Sequence, residues 1–159
     1  MQDFTTQANL EIRVRAATMA DRQALVLFLS RAAREENIEA YDVLGYLQEF
    51  ALPVAQVEAG QLVVAFRGFA IVGLASIVFR HDGEIEIDAL LIDPSAVRDQ
   101  VAAGLIAACS AFAAKVATGG LHATANDAAK SDLQRWGFET IGIDESIEVS
   151  VAHMMRRPI

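Results

Sequence analysis

Glu84, Glu86 and Asp88 recur at every second position of one stretch of chain, and in an extended strand such residues share a face. Three carboxylates on one face are expected to raise one another's pKa, since each charge disfavours the next. A carboxyl moved toward neutral pH suits a general base. The same row could equally draw in a cationic amine, and Glu84 reads more readily as part of a solvated outer face than as a working carboxylate. Other chemistries find less footing. His81, His122 and His153 are scattered without metal-ligand spacing, so no metal is expected. Cys109 stands in an Ala-rich apolar run, where a thiolate is penalised, and reads as a buried structural thiol in a reducing cytoplasm. Neither a P-loop nor a dinucleotide fingerprint occurs.

The elements that must position these residues follow from composition and pattern. With 159 residues the chain suits one domain, and 53% hydrophobic content excludes a disordered chain. Mean hydropathy is +0.31. Thirteen Lys and Arg against 21 Asp and Glu give a net charge of -8, which argues against general nucleic-acid binding. The longest charge-free runs, 68–79 and 101–114, fall short of the roughly 18–20 residues of a spanning helix, so no membrane partner is expected. Residues 1–10 are polar, lack an apolar signal core and are expected to form a flexible leader; residues 11–159 then form the single domain.

Alternation over 11–17 predicts a first strand, and Thr18 with Asp21 predicts a capped helix burying Leu25, Phe28, Leu29, Ala32 and Ala33, with Arg31, Arg34 and Glu35 on its wet side. A second helix is expected over 40–50. Val, Ile and Phe over 61–66, 70–79 and 84–92, broken by Gly68 and Gly83, predict antiparallel hairpins, with Gly73 marking a bulge or a close backbone approach. A long helix over 97–117 should bury Val101, Leu105, Ala108, Phe112 and Val116. A strand at 121–125, a helix at 127–136 and strands at 138–143 and 148–155 complete an α/β chain.

This order, with certain residues in place, resembles the GNAT superfamily of acyl-CoA-dependent N-acyltransferases over nearly the whole chain. The residues that carry the likeness are the run from Ile12 to Asp21, Ile71-Val72-Gly73, Leu90-Leu91-Ile92-Asp93-Pro94, and Asn126 with Ala129 and Gly137-Phe138. The resemblance implies a single-domain GNAT-like fold, a mixed central sheet of about seven strands flanked by about four helices. It also implies acetyl-CoA as cosubstrate, with Leu90, Leu91 and Ile92 along its pantetheine arm. Arg98, Asp99, Gln100, Val101, Ala102 and Ala103 would lie at its pyrophosphate, and Asn126 would be a further contact.

The same resemblance places the catalytic base at Glu86 with Asp88 behind it. Gln100 and Ala102 stand where the family has glycines, and Leu133 where it has a tyrosine acid; Ser131, Asp132 and His122 are nearby alternatives for that acid. Tyr41 and Tyr46 would line the acceptor side or pack, and Trp136 would pack. Two functions follow. One is a cytoplasmic N-acetyltransferase acting on a small amine; the other is a GNAT-fold module that binds a ligand or protein without turnover. The apolar richness is also compatible with a homodimer.

Overall fold

The computed structural model describes residues 11–34, 39–41, 54–93, 98–116, 119–125, 127–144 and 152–159. β1 (Ile12–Ala16) forms where Ile12 and Val14 turn inward against the more exposed Arg13 and Arg15. The chain then makes one 3-10 turn at Met19–Asp21. Asp21 closes it, accepting the Thr18 N–H at 2.9 Å and both nitrogens of the Arg15 fork at 2.7 and 2.8 Å.

The Arg15 hydrogen bonds hold the Asp21 carboxyl down at about 2, against an ordinary 3.8. A depressed carboxyl contributes stability above its unfolded pKa and loses it as pH falls through the folded one. Asp21→Asn should therefore lower stability at neutral pH by about 1–2 kcal/mol, a figure reduced for the solvent around half-exposed Arg15. Melting curves of the two proteins should converge as the pH is taken from 3.8 toward 2.

The remaining elements are α1 (Arg22–Ala33), β2 (Glu39–Tyr41), α2 (Val54–Glu58), β3 (Leu62–Arg67), β4 (Ala70–Phe79), β5 (Ile85–Ile92), α3 (Arg98–Val116), β6 (Gly120–Ala125), α4 (Asp127–Arg135), β7 (Glu139–Asp144) and β8 (Ala152–Pro158). Seven strands run across one sheet in the order β1-β3-β4-β5-β6-β8-β7, and β2 pairs with β5 off this path. Among the described residues β5 and β6 are parallel and every other pair is antiparallel, so the sheet is mixed.

One face carries α3 and α4 over Ile77, Ile85, Ile87, Leu90, Leu121 and Met155. The other carries α1 and α2, whose Leu25, Phe28, Leu29 and Val57 pack on Leu62, Val64, Ile71, Leu74 and Leu91. Cys109 is fully buried, and burial pushes its thiol up to about 12.

Several expectations need correcting. Residues 39–41 form a strand where a helix over 40–50 was expected; 42–50, with Tyr46, lie outside the described residues. The last strand runs to Pro158, well past the expected end at 155. On α3 the buried residues are Val101, Ala102, Leu105, Ile106, Cys109 and Ala113, while Val116 is exposed. A helix apolar on almost every side does not declare its buried face by spacing. α3 is also, among the described residues, long and apolar enough to cross a membrane, contrary to the run-length expectation, and six of its residues, between Val101 and Ala113, lie in the core. Arg31, expected on the wet side of α1, reaches Asp93 at 3.5 Å and the Ile71 carbonyl at 3.3 Å, tying α1 to the end of β5.

Candidate functional site

The site is made by two strands that part. β5 and β6 pair only at Ile85–Leu121, Glu86–His122 and Ile87–Ala123, and beyond that point β6 no longer follows β5. Just where they separate, β5 carries a bulge. Ser76 faces Ala89 and the next residue, Ile77, faces Ile87, so Asp88 is the extra residue. Such an insertion bends a strand and re-aims its side chains.

Asp88 is placed among buried groups. Its Oδ1 and the Oγ of fully buried Ser76 have no hydrogen-bond partner among the described residues. Burial pushes the Asp88 carboxyl above the ordinary carboxylate range; proximity to Ser76 and the residue's own backbone N–H offset part of this, and the Glu86 charge adds to it.

Mutual repulsion along the row, the expected cause, is thus the smallest contribution at Asp88. At Glu84 the direction is reversed. Arg156 donates to it through Nη2 at 2.9 Å and Nε at 3.2 Å, and this holds the Glu84 carboxyl below its usual value. His122, only 6% exposed, is hydrogen-bonded to Glu84 through Nε2. Glu84 is therefore no solvated outer residue. Glu86 accepts from Thr124 Oγ1 at 3.2 Å and faces Arg80 Nη1 at 3.7 Å.

Gly120 makes room for Arg156: a Cβ there would stand 2.6 Å from the guanidinium carbon. Read along the chain, Gly119-Gly120 only ends a helix; in the fold it admits the arginine. Arg80, Thr124 and Arg156 escaped sequence reasoning because nothing local marks them. Register alone sets Arg156 beside His122.

Asp82, Glu84 and His122 also bring ligand-type atoms within 4.8 Å of one another, a grouping the histidine spacing does not reveal. Arg156 already supplies a cation to Glu84 there.

The expected cofactor edge has a definite polarity. The Asp93 N–H donates to the Val72 carbonyl of β4 at 2.9 Å. Backbone groups alternate sides along a strand, so Leu91 likewise addresses β4, while the N–H and C=O of Leu90 and Ile92 address the opening toward β6. That edge is taken by β2, with Glu39 opposite Ile92, Ala40 opposite Leu91 and Tyr41 opposite Leu90.

At the start of α3, Arg98 lies 3.5 Å from Asp132 and 3.9 Å from Asp99. Arg135 bonds Asp99 at 2.8 Å and Asp132 at 2.9 Å, and Trp136 Nε1 donates to Asp99 at 3.3 Å. Gln100 and Ala103 are exposed, whereas Val101 and Ala102 are buried under the helix. Ala102 and Ala103 lie past the first turn, so their N–H groups are spent inside α3 and the free donors sit at its first residues. Leu133 is 1% exposed within the core. Asn126 lies outside the described residues.

A mixed sheet whose parallel strands β5 and β6 part beside a bulge, with helices packed on both faces, defines the α/β fold. The sequence model of the GNAT acetyltransferase domain matches residues 29–156. The chain belongs to the GNAT acetyltransferase family. No curated protein matches the sequence. Among solved structures, a GNAT-family acetyltransferase from Streptococcus pneumoniae superposes with a TM-score of 0.70 at 17% identity, covering 94% of this chain and 99% of that one. The PaiA N-acetyltransferase from Thermoplasma acidophilum, in complex with coenzyme A, gives 0.67 at 12% identity, covering 94% and 99%. N-acetylglutamate synthase from Neisseria gonorrhoeae, complexed with coenzyme A and N-acetyl-glutamate, gives 0.65 at 19%, covering 93% of this chain and 35% of that one. At these identities the likeness is one of fold.

Proposed function

We propose that the protein is an N-acetyltransferase that moves an acetyl group from acetyl-CoA to a small amine by direct attack. The observation that carries this reading is the half-buried Asp88 at the bulge where β5 leaves β6, its Oδ1 buried and without a hydrogen-bond partner among the described residues. Family membership supports acetyl-CoA as cosubstrate, and coenzyme A is present in the complexes of the Thermoplasma and Neisseria proteins.

The residues of the opening suit an acyl-CoA in part. The inter-strand edge at Leu90 and Ile92 accepts amide-bearing backbone, as its pairing with β2 demonstrates. Arg98 and the first N–H groups of α3 suit a pyrophosphate, although Asp99 and Asp132 compete for Arg98. In the reaction the amine nitrogen bonds to the thioester carbonyl carbon and the carbon–sulfur bond breaks. Asp88 takes the proton the amine gives up, the departing thiolate takes a proton from water, and Asp88 returns its proton to the hydroxide so formed. Glu86, engaged by Thr124 and Arg80, orients the acceptor. The cytoplasmic location and the homodimer belong to the same proposal.

Leu133 supports the second reading, a GNAT-fold module that binds without turnover, because a core leucine has no proton to give. Calorimetry with acetyl-CoA, followed by release of free thiol across a panel of amines, separates the two. Saturable binding with amine-dependent release is the expected result. Binding without release for any amine would favour the second reading.

A further inference from the structure

β2 is three residues long and lies off the continuous path of the sheet. It occupies the one stretch of β5 that β6 has abandoned, opposite Leu90, Leu91 and Ile92. The pairs Glu39–Ile92 and Tyr41–Leu90 are the hydrogen-bonded ones, because Leu90 and Ile92 are the residues whose N–H and C=O address that side. These same backbone groups are the ones an extended amide-bearing arm would need. At the other end of the opening, Arg98 is engaged by the carboxylates of Asp132 and Asp99. Both halves of an acyl-CoA slot are thus filled from within the chain, by backbone where a pantetheine amide would bind and by carboxylates where a pyrophosphate would.

We propose that β2 is a displaceable internal strand that competes with acyl-CoA for the edge of β5, so that the cosubstrate binds only as β2 leaves. The inference rests on the acyl-CoA reading above and adds its regulation. Two ligands cannot share one row of donors and acceptors, so the free energy of β2 docking is subtracted from that of acyl-CoA binding. By reciprocity, acyl-CoA must weaken β2 docking by the same factor. Anything that stabilises docked β2 lowers affinity for acyl-CoA; anything that captures the undocked segment raises it.

Calorimetry with acetyl-CoA on the wild type, Glu39→Pro and Tyr41→Pro provides the first test. Each proline removes one N–H from the pairing with β5, and affinity should rise about three- to tenfold, the worth of one backbone hydrogen bond. Amide hydrogen exchange of the wild type provides the second and needs no variant. The amides of Glu39 and Tyr41 should exchange faster when acetyl-CoA is added, whereas a ligand binding beside an undisturbed β2 would leave them unchanged or slower. Equal affinity of all three proteins, or added protection at residues 39 and 41, would overturn the competing strand and leave acyl-CoA binding in place. Failure of every protein to bind acetyl-CoA at several hundred micromolar would instead remove the acyl-CoA reading, and the competing strand with it.

Discussion

Asp88→Asn should lower acetyl transfer by about 10²–10⁴-fold, the usual effect of removing a positioned base, without lowering the stability of the folded protein at neutral pH. The second half follows from the sign of the shift. Burial raises the Asp88 carboxyl in the folded state. A raised carboxyl favours the folded state below the unfolded pKa, and that contribution is lost as pH rises through the folded pKa. At neutral pH the half-buried carboxylate is a burden on the fold, and the neutral amide of Asn relieves it. The melting temperature should therefore stay level or rise while turnover collapses, an outcome a purely structural Asp88 would not give. In the wild type, the acid limb of kcat/KM should have its midpoint above the ordinary carboxylate range, and in Asp88→Asn that limb should vanish. Glu86→Gln should have the smaller effect, since Glu86 is already held by Thr124 and Arg80. If Glu86→Gln proves the more damaging and Asp88→Asn retains the limb, the base is Glu86.

The strands were legible because Val and Ile alternation is a local property; β3, β4 and β5 fall close to their expected bounds. The turn at Thr18–Asp21 was legible for the same reason, as its partners are three residues apart. What could not be read were features that exist only between elements. Glu84 and Arg156 are 72 positions apart, so the chain gives no hint that the first carboxylate of the row is neutralised. The bulge at Asp88 arises from the fit of β5 to β4 and has no signature in β5 alone. Within α3, Ala-rich apolar sequence on several sides left the burial of Ala102, Ile106 and Ala113 to be settled by the sheet beneath. Leu133 adds what the family pattern alone does not show: the leucine that stands where the family has a tyrosine acid is buried in the core. Residues 39–41 form a strand because β6 leaves part of β5 unpaired, a tertiary cause that no local propensity encodes.

Gly73 is where sequence and fold agree most usefully, and its replacement should have the largest effect on stability. The position was expected to mark a bulge or a close approach, and it marks both. Ala65 faces Gly73 while Phe66 faces Ile71, so Val72 beside it is the extra residue. Over it, α3 sits so close that a Cβ on Gly73 would stand 2.6 Å from Val101 Cγ1 and 3.0 Å from Leu105 Cδ1. Val101 and Leu105 are both fully buried, and neither can swing into solvent to make way. Gly73→Ala should destabilise by about 1–3 kcal/mol, and Gly73→Val by about 3 kcal/mol or more, both read as lower denaturant midpoints. Truncating the neighbour tests the cause. Val101→Ala alone opens a cavity and is destabilising, yet combined with Gly73→Ala it should recover part of the loss, with a coupling of about 0.5–3 kcal/mol. Strict additivity would mean that the strain is taken up elsewhere. The single Trp136 supplies a second readout, because its Nε1 donates to Asp99 in the first turn of α3. A helix lifted at Val101 carries Asp99 away from it. The fluorescence of folded Gly73→Val should then shift while that of Gly73→Ala with Val101→Ala stays near the wild type, which would locate the damage at the end of α3 that faces the candidate site.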